Sequence, residues 1–161
     1  MTKLKIDAPE NTPFVNVERE FDAPRELLHR AHLDPELVVQ WLGPRKYKMT
    51  IDRWDARDGG EYRYSHKSDD GEYTFRGVFH SVAIDNMVQT FEFEGVPGHV
   101  SLDAASLEDI GDGRTRLKVR SVFQSVEDRD AMMSAGMTDG MEEGYERLDE
   151  LAERLKVPAG V

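Results

Sequence analysis

The chain has 161 residues, a size that fits one ordinary domain and buries roughly two thirds of its unfolded surface without staples. It has no cysteine, which excludes thiolate catalysis, a cysteine-ligated zinc and any disulfide framework. Lys+Arg 21 against Asp+Glu 32 gives a net charge of −11, which repels nucleic-acid phosphates and anionic lipid, so neither is expected as a partner.

Met1 to Phe14 mixes Lys3, Lys5, Asp7 and Glu10 with two prolines. That is too polar for a signal peptide, so residues 1–12 read as a flexible segment before a single domain over 13–161, with the cytoplasm as the expected location. The longest strictly apolar run, Leu37 to Val39, is far short of the roughly 20 residues that cross a bilayer. Phe14 to Phe21 alternates as a half-buried strand does, with Val15, Val17, Arg19 and Phe21 on one side. Asp22-Ala23-Pro24 then starts a short helix that ends near Leu33. Asp34-Pro35 opens a second, through Trp41, which must stop by Gly43 and Pro44.

From Tyr47 to Gln124 the pattern has period two. Turn residues at Asp58-Gly59-Gly60, Asp69-Asp70-Gly71, Asp85-Asn86, Gly95 to Gly98 and Gly111-Asp112-Gly113 divide it into six strands of an antiparallel meander. Ser125 opens a capping-box variant with Asp128, and no proline follows until Pro158, which predicts one long terminal helix. Met137, Met141, Gly144, Leu148, Leu151 and Leu155 form its inner stripe. Gly136, Gly140 and Gly144 fall four apart, marking close packing or space left for a ligand.

The words Phe21-Asp22-Ala23-Pro24-Arg25-Glu26-Leu27, Asp34-Pro35-Glu36, Gln40-Trp41-Leu42-Gly43-Pro44, Gly59-Gly60 and Gly144-Tyr145 occur in that order. With the element order they resemble the family named for the activator of the Hsp90 ATPase (AHSA1-like), within the START-like and Bet v 1-like superfamily. The resemblance covers about Phe14 to Leu155 and implies an α+β helix-grip fold: a curved antiparallel sheet, two short helices and a long C-terminal helix. It also implies a pocket between sheet and helix, with relatives that are carriers, cyclases and co-chaperones, and it carries over no catalytic residue.

In such a fold the inward strand rows line the pocket. Parity groups Tyr62, Tyr64 and His66; Tyr73, Phe75, Gly77 and Phe79; Met87, Gln89, Phe91 and Phe93; and Leu117, Val119, Ser121 and Phe123. Aromatic walls with a few polar tips suit a small-molecule pocket as well as a plain core. The candidate ligand-binding residues are therefore Trp41, Tyr62, Tyr64, His66, Phe75, Phe79, Gln89, Phe91, Ser121, Met137, Met141 and Tyr145. Gly77, Gly140 and Gly144 are expected to free volume for the ligand.

No catalytic set is legible: the chain has no G-x-S-x-G elbow, phosphate-binding glycine loop or H-E-x-x-H. His29 and His32 share a helix face but lack a third ligand, and read as a solvent-facing pair; His80 and His99 read as surface residues. No metal or other cofactor is expected. The leading function is non-catalytic binding of an apolar or aromatic small molecule. The alternatives are a cyclase- or isomerase-like enzyme using pocket Tyr and His groups, or an Hsp90-type co-chaperone module; a homodimer is an open possibility suggested by relatives.

Overall fold

The computed structural model describes residues 3–156. Pro158, expected to bound the terminal helix, lies outside them. In chain order the elements are β1 (Lys5–Asp7), β2 (Phe14–Phe21), α1 (Arg25–Leu33), α2 (Pro35–Val38), β3 (Lys48–Trp54), β4 (Glu61–Ser68), β5 (Gly71–Ala83), β6 (Asn86–Phe93), β7 (Val100–Gly111), β8 (Arg114–Val122), α3 (Val126–Ser134) and α4 (Met137–Lys156). The strands make one antiparallel sheet in the order β1-β2-β8-β7-β6-β5-β4-β3. This is the expected helix-grip arrangement, with β3 to β8 as the meander. Among the described residues no helix is long and apolar enough to cross a membrane.

Alternation places the core. Val15, Val17, Arg19 and Phe21 of β2 are buried while the residues between them are partly open, as the strand pattern requires. Leu107, Leu117, Tyr62, Tyr64 and Phe79 continue that inner face across the sheet, and Leu148, Leu151 and Ala152 of α4 cover it. α1 and α2 close one end through Leu28, Ala31, Leu37 and Val38. Asp34 caps α2, its carboxylate accepting from the Glu36 amide at 2.9 Å.

The structure corrects three expectations. Residues 5–7, inside the segment expected to be flexible, pair with β2 through Lys5↔Glu18 and Asp7↔Asn16. Buried Arg129 of α3 holds the following loop, donating to the carbonyls of Pro9 at 2.6 Å and Phe14 at 3.2 Å. The second short helix stops at Val38, and Trp41 follows in turns. The single terminal helix is two: Ser125 caps α3 as expected, its hydroxyl accepting from the Asp128 amide at 3.0 Å, but Gly136 at φ +91° breaks the helix. Glycine reaches that left-handed conformation without a Cβ clash, so the break falls there.

The glycines of α4 have different neighbours. A Cβ on Gly144 would lie 3.2 Å from the Gly43 amide nitrogen and 3.3 Å from the Trp41 carbonyl oxygen, so α4 rests directly on the main chain after α2. A Cβ on Gly140 would meet only Pro44, at 3.8 Å, which is ordinary contact. Packing, rather than vacated ligand volume, explains Gly144.

Gly144→Leu should therefore lower stability by about 1–3 kcal/mol or more through overpacking against backbone that has nowhere to go. Gly140→Ala should raise it by up to about 1 kcal/mol from helix propensity. Thermal melts of the two variants check this; equal melting temperatures would contradict the assigned seat.

Candidate ligand site in the concave interior

Between the sheet and α4 the inner-face rings form a continuous aromatic stack. Trp54, Tyr62 and Phe79 meet with centroids 5.1–5.6 Å apart, and Tyr62 stacks on Tyr64 at 6.0 Å. Tyr64 then meets Phe75 at 5.3 Å, which stacks on Phe91 at 5.2 Å and touches Phe93 at 5.3 Å. The two ends of this run differ. Tyr62 and Phe79 are 2% exposed, whereas Phe75, Phe91 and Phe93 are only half-buried although their strand parity turns them inward.

Local geometry explains the closed end. The Tyr62 ring occupies the place a Gly77 side chain would take, 2.6 Å from the ideal Cβ, and its hydroxyl donates to the Thr90 carbonyl. Gly77 thus makes room for Tyr62, not for a ligand as expected. Trp41, expected at a pocket mouth, is 3% exposed; its indole donates to the Ala31 carbonyl at 2.9 Å and its ring stacks on Tyr145 at 6.0 Å. It anchors the core. At the open end Met141 packs against both clusters of the core, and Met137 lies with Met132 and Met133 over Val15, Val17 and Phe123.

The polar groups gather around a residue that the sequence reading passed over. Asp103 of β7 faces Gln89 of β6 and Ser121 of β8 in register. Ser121 is buried and hydrogen-bonds the Asp103 carboxyl, but loss of water outweighs that bond and pushes the carboxyl up to about 6. Burial raises the phenols of Tyr62, Tyr64 and Tyr145 above the ordinary value, and the Asp103 charge raises each further. Tyr64 and Tyr145 are each under 8% exposed. The signal for Asp103 was present: Ser101, Asp103, Ala105 and Leu107 share one parity, and Leu107 is core.

Arg19 is the interior cation. Its side chain is 1% exposed, it donates to Asp149 of α4 at 2.6 Å, and its guanidinium lies 4.7 Å from the Phe21 ring centre. Its Nε and Nη1 have no partner. His66 lies beneath Gly43, whose Cβ would stand 3.1 Å from its Nε2, and that nitrogen is also unpartnered. Burial, then the Arg147 charge, push His66 down to about 4, so at neutral pH it is an uncharged filler at the edge of the site.

His29 and His32 are not a solvent-facing pair. His29 Nε2 meets the Val82 carbonyl and His32 Nδ1 the Leu28 carbonyl, both at 2.7 Å, and burial pushes His32 down to about 4. Among the described residues no three metal-ligating side chains converge. His80 and His99 are exposed as expected, and His99 pairs with Asp128 at 2.9 Å.

Two grooves open on the outer face of the sheet. One, of about 450 Å³, runs beside β1 between Glu18, Asp85, Ser106 and Lys118. The other, of about 510 Å³, is floored by Val78, Val88, Thr90 and Leu102. Most of their lining is outward-facing, with Val17, Ala105 and Val119 of the inner face reaching the first and Phe79 the second. Of the predicted site residues the interior therefore brings together Tyr64, Phe75, Gln89, Phe91, Ser121, Met141 and Tyr145. It places Trp41, Tyr62 and Phe79 in packed core, with His66 and Met137 at the margins.

The family model described as activator of Hsp90 ATPase homolog 1-like protein matches residues 22–153. A crystal structure from Rhodobacter sphaeroides is similar with a TM-score of 0.83 at 24% identity, over 92% of this chain and 97% of that one. A solution structure from Arthrobacter aurescens gives 0.84 at 26% identity, over 96% and 92%. CalU16 from Micromonospora echinospora gives 0.60 at 17% identity, over 99% and 77%, and shares the fold alone. No protein with a curated function matches.

The titrating groups have opposite signs. Asp103 holds its proton to about 6 against an ordinary 3.8, so the folded state gains a proton in that window and stability falls as pH rises through it. His32 and His66, at about 4 against 6.5, contribute stability that is full above 6.5 and lost as pH falls toward 4. Asp103→Asn should melt above the wild type at neutral pH, the gap closing as pH falls toward 4. A variant that melts below the wild type at every pH would contradict the assignment.

Proposed function

Because the chain belongs to the activator of Hsp90 ATPase homolog 1-like family, whose helix-grip scaffold is in general a ligand-binding fold, we propose that it binds a ring-containing, largely apolar small molecule against the open end of its concave interior. The observation that carries this reading is the pair Phe75 and Phe91: inward-facing, stacked at 5.2 Å, yet partly exposed. Aromatic rings on the core side of a sheet are normally covered, because leaving them wet forfeits roughly 25 cal/mol per Å². A planar ligand extending the stack past Phe91 would supply the missing cover, with adaptable Met141 above it.

The nearby polar tips fit the same role. The Tyr64 and Tyr145 hydroxyls and the Asp103 carboxyl stand beside the apolar wall, and ligand pockets pair apolar walls with a few polar groups that fix orientation. The packed Trp54-Tyr62-Phe79 end forms a rigid floor.

A naphthalene-sized probe at about 100 times its Kd should stabilise the fold by about 2.7 kcal/mol through mass action, read as a rise in melting temperature. Phe91→Ala should weaken that probe about tenfold in calorimetry while changing stability less than Phe79→Ala, which loses about 3–5 kcal/mol as a core deletion. Unchanged affinity in Phe91→Ala would rule out the assigned wall.

A further inference from the structure

Asp103 poses an unsolved electrostatic problem. It sits on the inner face of β7 between Gln89 and Ser121, within reach of the fields of Tyr62 and Tyr64 from β4 and Tyr145 from α4. Ser121 is its one hydrogen-bonding side chain, and no cation acts on it among the described residues. Buried Arg19 is turned to Asp149 and the Phe21 ring instead, and buried Arg129 to the carbonyls of Pro9 and Phe14. Asp103 is partly exposed, open to a ligand, and a carboxylate that has lost part of its water without a countercharge is costly.

The surroundings favour a cation over any other ligand group. Tyr64, Tyr145 and Phe75 present aromatic rings, whose faces attract positive charge. The two tyrosine hydroxyls have oxygen lone pairs that accept from an ammonium, and the carboxylate accepts a charge-assisted bond. An anionic ligand would meet Asp103 directly and, on approach, a chain of net charge −11.

We propose that the interior is an amine site, in which a ring-containing primary amine lays its ring on Phe75 and Phe91 and its ammonium on Asp103 between Tyr64 and Tyr145. This rests on the reading that the open end of the interior takes a ring-containing ligand, and it adds the class: aryl-alkyl amines rather than the corresponding alcohols or acids. Binding is then coupled to pH. Once Asp103 takes a proton, at about 6 in the free protein, the ammonium loses its partner and the preference declines.

The test uses three probes with one ring: 2-(aminomethyl)naphthalene, 2-naphthalenemethanol and 2-naphthoate, titrated calorimetrically into the full chain at neutral pH. The amine should bind about tenfold or more tighter than the alcohol, as expected for a charge-assisted bond, and the carboxylate weakest. In Asp103→Asn, its fold checked by melting, the amine-to-alcohol ratio should fall to about one. In the wild type the ratio should fall in the same direction between neutral pH and about pH 4.5, where an alkyl ammonium remains charged. Alcohol binding equal to amine binding, or an amine preference that survives both Asp103→Asn and acid, overturns the amine site but leaves the ring site standing. Failure of all three probes to bind overturns both.

Discussion

Gly144 has no side chain because the main chain of Trp41 and Gly43 lies where one would be, and this contact of backbone on backbone sets how deeply α4 crosses the sheet. Neighbouring groups lock the same seat. Arg147 donates to the Gly43 carbonyl at 2.8 Å and the Gln40 carbonyl at 3.1 Å, satisfying acceptors that the end of α2 leaves open. Tyr145, next to the glycine, is brought between Trp41 and Phe21. One turn on, Leu148, Leu151 and Ala152 fall against the sheet, and Asp149 meets Arg19 of β2. A helix held further out would lose the Tyr145 stack and the ion pair together.

That depth divides the interior in two. Near the α1–α2 corner, bulky rings meet with no room left, and Gly77 admits the Tyr62 ring so that the floor closes. Toward the Gly136 break, cover passes from the leucines of α4 to methionines over Val15, Val17 and Phe123. On the same inner face Phe75, Phe91 and Phe93 remain partly exposed. Asp103 lies at the boundary, partly exposed, its carboxyl pushed up to about 6 by lost water and with no cation acting on it among the described residues. A carboxylate there lowers stability at neutral pH, and such a group has a physical rationale when something bound compensates for it. The proposed ligand, its amine and the pH response all follow from this juxtaposition of an uncovered aromatic wall and an unneutralised charge.

Much of this was legible in the sequence. Period-two alternation and turn residues located β2 and all of β3 to β8, because each strand has one buried face. The cap at Ser125 and the proline after Asp34 marked helix starts. What the pattern could not reveal depended on tertiary neighbours. Lys5–Asp7 is a strand only because β2 offers an edge, and its three exposed residues show no alternation in burial. Gly136 looked like the other glycines of a four-residue lane, since φ is not written in composition. Rows were read for four strands, which found Tyr64, Phe91 and Ser121 but left β7 unread and Asp103 with it. His32 escaped because nothing in a helical stripe announces that Trp41 will lie against it, at 4.9 Å.

The proposed ligand lies inside the concave face, although the outer face has grooves of about 450 and 510 Å³. An NMR titration of the isotope-labelled chain with 2-(aminomethyl)naphthalene separates the two most directly. The predicted result is shift changes concentrated at Phe75, Phe91, Asp103, Met141 and Tyr145, with intermolecular contacts from the naphthalene to the Phe91 ring and the Met141 methyl. Changes confined to Val78, Val88 and Leu102, or to Ile6 and Lys118, would put the ligand on the outside of the sheet and contradict the account.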